Sequence, residues 1–232
     1  MNNRNSSNSR KISYRLWSLT TVVIVGMVIT IFSFNVEHLA SGKQVKTAVI
    51  DIDFDHMRQI MVHKNGTKSI IEYSGMKLID QRTLDLKIDT SADKRPLLNA
   101  LRGKSKAVVS AVKILTVQPN DPSMETDVLE LRQVAEIDPR KIAVVTSSTA
   151  AAGKLDQYTT TLFAKRNGQF TEFTVTVLMT IRTKVPWMFK SRVDEEVQQA
   201  ADQAVDNQLK AMTQLFQDYS DQQLIVFDAS RE

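Results

Sequence analysis

The chain has 232 residues, 42% hydrophobic and 24% charged, with 7 glycines, 5 prolines and no cysteine. That is enough for one sizeable core, and it excludes a collagen, a disulfide scaffold, a thiol nucleophile and a thiolate metal site. The formal charge of +4 is carried by Arg4, Arg10, Lys11 and Arg15, which precede the first acid, Glu37, so the body is formally neutral and offers no nucleic-acid face.

Residues 1–15 read as a polar cytoplasmic tail. Leu16 to Val36, LWSLTTVVIVGMVITIFSFNV, carries no charge. At 1.5 Å per residue it spans roughly 31 Å, the thickness of a bilayer core, with Trp17 at its edge where an interfacial aromatic belongs. A cleaved signal peptide has a shorter apolar region, so the run reads as an uncleaved signal anchor. Four cations before it and two lysines after it, Lys43 and Lys46, place the N-terminus in the cytoplasm. The remainder is then expected outside, in the periplasm or extracellular space, as a single-pass protein of the cytoplasmic (inner) membrane. Residues 37–44 read as a linker and 45–232 as one extracytoplasmic domain.

Val45 to Phe54 alternates, with Ala48, Ile50, Ile52 and Phe54 on one face, and predicts a strand. Its DIDFD run lacks the Gly and Glu of a calcium loop, because His56 and Val62 occupy those positions. Asn65-Gly66 and Asn167-Gly168 each predict the two central residues of a hairpin turn. The first hairpin is expected over Arg58–Tyr73, with Ile60 opposite Ile71. The second is expected over Leu155–Thr183, with Leu162 opposite Phe173, Thr160 opposite Val175 and Tyr158 opposite Val177. It has a Thr-rich reverse face. Strands are predicted at Arg82–Asp89, Ala107–Val117, Asp127–Ile137 and Lys141–Ser148. A short helix is expected over Lys94–Arg102, capped by Asp93, and Gln118–Thr126 is the longest loop.

Ser191 followed by three acids predicts a capped helix start. From Val193 to Tyr219 apolar residues recur every three or four positions, which predicts one long amphipathic helix. It is expected to bury Val197, Ala204, Leu209, Met212 and Phe216 against a sheet face bearing Phe173, Val175 and Val177. Gln198 falls on its polar side, and Gln223–Phe227 reads as a last strand. The fold class is α+β: a single N-terminal transmembrane helix, then an antiparallel β-sheet domain covered by a long C-terminal helix.

This order of elements over Arg82–Tyr219 resembles the START-like, polyketide-cyclase-like helix-grip superfamily. There a curved antiparallel sheet wraps a C-terminal helix with an apolar cavity between them. The resemblance implies binding of a lipid or other hydrophobic small molecule, or a scaffold that has lost its ligand. The layout of tail, span and external domain also resembles the bitopic bridge subunits of type IV secretion machines, although their Asn-Pro turn is absent here.

The sequence carries no G-x-S-x-G, P-loop, G-x-G-x-x-G or H-E-x-x-H motif. Its three histidines, His38, His56 and His63, are dispersed. No catalytic residue, metal ligand or cofactor is expected, and the protein reads as a non-enzyme. Two functions follow: assembly with other envelope proteins of a membrane complex, and binding of a hydrophobic ligand. Oligomerisation is left open. The candidate ligand contacts are Tyr158, Thr160 and Met179, toward the strand ends where the long helix starts. Met adapts to irregular apolar shapes and Tyr or Thr orients one polar group. Packing in a closed core is the plain alternative for all three.

Overall fold

The structure is a computed structural model that describes residues 35–63, 66–73, 76–95, 99, 106–119 and 128–220. Its elements in chain order are β1 (Asn35–Ile50), α1 (Phe54–His63), α2 (Gly66–Tyr73), β2 (Met76–Asp89), β3 (Val108–Pro119), β4 (Leu129–Ile137), β5 (Lys141–Ser148), β6 (Leu155–Asn167), β7 (Phe170–Pro186), a 3₁₀ turn (Trp187–Phe189) and α3 (Lys190–Ser220).

The strands form one antiparallel seven-stranded sheet in the order β1-β7-β6-β5-β4-β3-β2. The first strand lies beside the last, so β1 and β2 are the edges. In β7 the odd positions Thr171, Phe173, Val175, Val177 and Met179 are buried and the intervening threonines are half-exposed. This period of two puts the core on one face. On the other face hydroxyls pair across β1 and β7, Ser41 with Thr180 and Thr47 with Thr174, both at 3.1 Å.

Helix α3 lies on the apolar face. Val197, Ala201, Val205, Met212, Leu215 and Phe216 are buried, while Ala204 and Leu209 pack at the margin. The Phe216 ring stacks on Phe173 at 5.5 Å between centroids. Gly42 of β1 lets the helix in close: a Cβ there would strike the Val197 carbonyl and sit 2.8 Å from its carbon. Polar ties fix the register of helix on strand. Asp194 meets His38 at 2.8 Å and Asp206 meets Lys46 at 2.7 Å. Gln198 does not stand free on a polar face, as its sequence position suggests. Its amide nitrogen donates to the Lys43 carbonyl at 3.0 Å and its oxygen accepts from the Lys43 N–H at 3.1 Å, which closes part of an edge strand.

Several expectations are corrected. Residues 37–44 are no linker: they belong to β1, which starts at Asn35 and takes Asn35 and Val36 out of the apolar span. The strand expected over Val45–Phe54 ends at Ile50, because Asp53 caps α1 by accepting the Asp55 and His56 N–H groups. The Arg58–Tyr73 hairpin is replaced by the helices α1 and α2. Gly66 permits their close passage, since a Cβ there would come 2.7 Å from the Met61 sulfur. The second hairpin exists with its register moved by two residues. Asn167 pairs with Phe170, Gly168-Gln169 is the loop, and Tyr158, Thr160 and Leu162 face Met179, Val177 and Val175. Gly168 takes the left-handed conformation, φ 63°. A two-residue shift keeps every side chain on its face, so alternation cannot detect it. Ser191 is not a cap, because the 3₁₀ turn feeds α3 directly and the Lys190 N–H bonds the Trp187 carbonyl.

The tail, residues 16–34 of the anchor run and the 223–227 strand lie outside the described residues. So does most of the 94–102 helix, although Asp93 behaves as its cap, accepting from the Arg95 N–H and the Asn99 amide. Among the described residues no helix is long and apolar enough to cross a membrane.

Candidate functional site

Strand register decides which side chains meet on the concave face. Lys113 of β3 pairs with Gln133 of β4, Gln133 with Thr146 of β5, and Thr146 with Thr160 of β6. Pairing at each step carries the side chain to the same face. One polar row therefore crosses an otherwise apolar surface, between Leu115 and Leu131 on one side and Ala111, Ala135, Val144 and Leu162 on the other.

Over this row lies a pocket of about 70 Å³. The sheet supplies Leu115, Leu131, Gln133, Val144, Thr146, Tyr158, Thr160 and Leu162, together with Met76 at the start of β2. Met61 of α1 and Thr67, Ile70 and Ile71 of α2 form the roof, and Gln208 and Met212 of α3 close one side. Nine of the fifteen lining residues are apolar, and none carries a charge at neutral pH.

Its polar groups are tied in two short chains. Thr67 donates to the Gln133 oxygen at 3.0 Å, and the Gln133 amide donates to the Thr146 hydroxyl at 3.3 Å. Thr160 donates to the Gln208 oxygen at 2.8 Å, and the Gln208 amide donates to the Tyr158 hydroxyl at 3.1 Å. The first chain anchors α2 to the sheet and the second anchors α3. Burial pushes the Tyr158 hydroxyl up to about 12, so it is a neutral hydrogen-bonding group at physiological pH and no base. The threonine hydroxyls have no adjacent base to activate them.

Lys113 closes the outer end of the row. Burial lowers its pKa below the ordinary lysine value, and no acid among the described residues pairs with it. Beside it on β2, Gln81 lies in register with Leu115, and its carboxamide oxygen is buried without a partner.

Of the residues singled out in the sequence, Tyr158 and Thr160 stand on the pocket wall. Met179 is the cross-strand partner of Tyr158 but is buried in the core and lines no part of the pocket. Gln133, Thr146 and Gln208 of the pocket wall, and Lys113 at its outer end, are not singled out by the sequence reading. The signal was there: Gln133 breaks the inward series Leu129, Leu131 and Lys113 breaks the series leading to Leu115 and Val117. The DIDFD aspartates do other work, Asp53 as a cap and Asp53 and Asp55 as partners of Arg166. Among the described residues no group of three or more His, Asp and Glu converges on a metal position.

A seven-stranded antiparallel sheet gripping a C-terminal helix, with an apolar pocket between them, is the arrangement that the superfamily resemblance implied. The fold is α+β, one antiparallel sheet of seven strands closed on a long C-terminal helix. No protein-family model and no curated protein matches the sequence. Solved structures similar to it include a Thermus thermophilus protein, 12% identical, covering 77% of this chain and 99% of that one at a TM-score of 0.45. The Zhui aromatase/cyclase of a Streptomyces species is 13% identical over 79% of this chain and 96% of its own, TM-score 0.45. A START superfamily protein of Mycobacterium smegmatis is 10% identical over 76% and 97%, TM-score 0.45.

Proposed function

We propose that the domain binds a small, largely apolar molecule in the pocket between the sheet and its helices, and performs no chemistry on it. The observation that carries this is the lining: an apolar surface crossed by one row of neutral hydrogen-bonding groups, sheltered beneath α2. Such a surface fits a molecule with an apolar body and a few polar substituents. A pocket of about 70 Å³ holds only a fragment of such a molecule, because ligand sites usually measure ~300–1,000 Å³. The wall that must yield is α2. Eight residues are too few to hold a helix by themselves, so it stays through the packing of Ile70 and Ile71 and the Thr67–Gln133 bond.

Lys113 and Gln81 stand just outside the pocket lining, at the β2–β3 end of the row, where an acidic substituent reaching past Leu115 would find its counter-charge and a donor the free oxygen of Gln81. The ligand class is then an amphipathic acid, with its head at the β2–β3 end and its body along the polar row. Native mass spectrometry of protein purified from its own membrane tests this reading. A bound small molecule, lost on Val144→Phe without loss of melting temperature, is the expected outcome. Protein that carries no small molecule and brings a stoichiometric protein partner instead would overturn it.

That second outcome belongs to a second reading, an assembly role in a membrane complex. The edge strand β2 favours it, since Leu84, Leu86 and Ile88 are each more than half exposed. Both readings place the domain outside the cytoplasm, held by the apolar run that ends where β1 begins. Fusions of alkaline phosphatase and of a cytoplasm-only fluorescent protein at the C-terminus test that topology. An active phosphatase and a dark fluorophore are expected; the reverse pattern would end it.

A further inference from the structure

We propose that the 3₁₀ turn Trp187–Phe189 and the first residues of β1 form a foot that rests in the lipid headgroup layer beside the membrane anchor. The proposal rests on the anchor reading of Leu16–Phe34 and adds a surface that the anchor does not imply, since a domain on a flexible linker would touch no lipid.

Continuity of the chain places the foot. On the anchor reading, residues 16–34 as a helix would span about 28 Å, which would set the edge of the hydrocarbon close to Phe34. No linker follows, because β1 begins at Asn35 and Asn35 is the strand partner of Pro186. A peptide step of 3.8 Å on each side of a strand pair about 5 Å wide puts the Trp187 Cα at most about 13 Å from that of Phe34. The headgroup layer is about 5–8 Å thick on each side of the core. An indole reaching back from that point lies within it.

The surface at this end has the matching chemistry. Trp187 is 61% exposed, Met188 46% and Val36 36%. Large apolar side chains left in water at one end of a domain whose apolar helix face is covered mark an interaction surface. Trp is the residue that prefers the membrane–water boundary, with its ring in the acyl–headgroup region and its N–H wet. Lys184 and Lys190 flank the turn. Lysines in this position meet lipid phosphates. The alternatives for an exposed apolar end are a second copy of the chain or a protein partner. Only a lipid surface is delivered by the sequence itself, through an apolar run one residue from the patch.

The chain provides its own reporter, because it has two tryptophans and Trp17→Phe leaves Trp187 alone. The full-length Trp17→Phe protein is reconstituted in phosphatidylcholine nanodiscs, with and without acyl chains brominated near the headgroup, and titrated with aqueous iodide. We expect blue-shifted Trp187 emission that bromolipid quenches and iodide barely touches. Stable insertion with emission indifferent to bromolipid would overturn the foot alone, whether iodide reaches the indole or a protein contact shields it. Failure of the chain to insert would overturn the anchor and the foot together.

Discussion

Phe216 is the residue through which the helix-grip packing is most directly measured. Its ring is 1% exposed and stacks at 5.5 Å on Phe173, also 1% exposed, so Phe216→Ala removes a fully buried ring at the seam of helix and sheet. Truncations of this kind cost about 3–5 kcal/mol, because the lost contacts are only partly recovered by collapse of the cavity. The stacking geometry accounts for about 0.5–1.5 kcal/mol of that. Against a total stability of about 5–15 kcal/mol the loss is large. In a domain of this size each kcal/mol moves the melting temperature by roughly 2–4 °C, so a fall of about 6–20 °C is expected. Thermal unfolding followed by circular dichroism measures it, with Gln199→Ala on the exposed side of α3 as the control. Phe173→Ala combined with Phe216→Ala should fall short of additivity by about the stacking contribution. If Phe216→Ala melts no lower than Gln199→Ala, α3 does not pack on β7 as described.

Gly42→Ala should destabilise by about 1–3 kcal/mol in the same assay, because its methyl meets helix backbone that cannot step aside. Alkaline titration should show the tyrosinate absorbance of Tyr158, identified by its loss in Tyr158→Phe, rising only toward pH 12. The sign follows from its raised pKa: the unfolded chain loses this proton near pH 10 and the folded chain near 12, so the contribution is complete below pH 10 and is lost between 10 and 12. Tyr158→Phe should flatten that part of the stability profile. Lys113→Met should abolish a preference for an amphipathic acid over the corresponding alcohol, measured by calorimetric titration, while Lys113→Arg keeps it; equal loss of both ligands in Lys113→Met would instead mean damage to the pocket.

The alternation of Leu162, Phe173, Val175 and Val177, and the three-and-four spacing of Val197, Met212 and Phe216, were legible because burial on one face imposes a local period on the sequence. The stretch 58–73 was not legible in that way. Ile60 and Ile71 are buried in the two helices and would be equally buried as partners in a hairpin, so both local patterns satisfy the same apolar residues. What decided for helices was the need to roof the sheet between α3 and β2, which no local window contains. The candidate site shows the same division. Tyr158 and Thr160 could be picked from one hairpin, whereas the row from Lys113 through Gln133 and Thr146 to Thr160 joins four strands, and the hydrogen bonds that complete it come from Gln208 of α3 and Thr67 of α2.

By itself the sequence determined the membrane-length apolar run, the strands between Arg82 and Thr183, the long amphipathic helix and the absence of thiol chemistry, since each of these depends on composition or on a period within one segment. Only the tertiary structure decided that β1 starts directly at the end of that run and closes against β7, that the turn of the last hairpin sits on Gly168-Gln169, and that polar residues far apart in the chain share one pocket wall. Those features depend on register and on which element covers which face, and a two-residue slip or an exchange of cover leaves every local pattern unchanged.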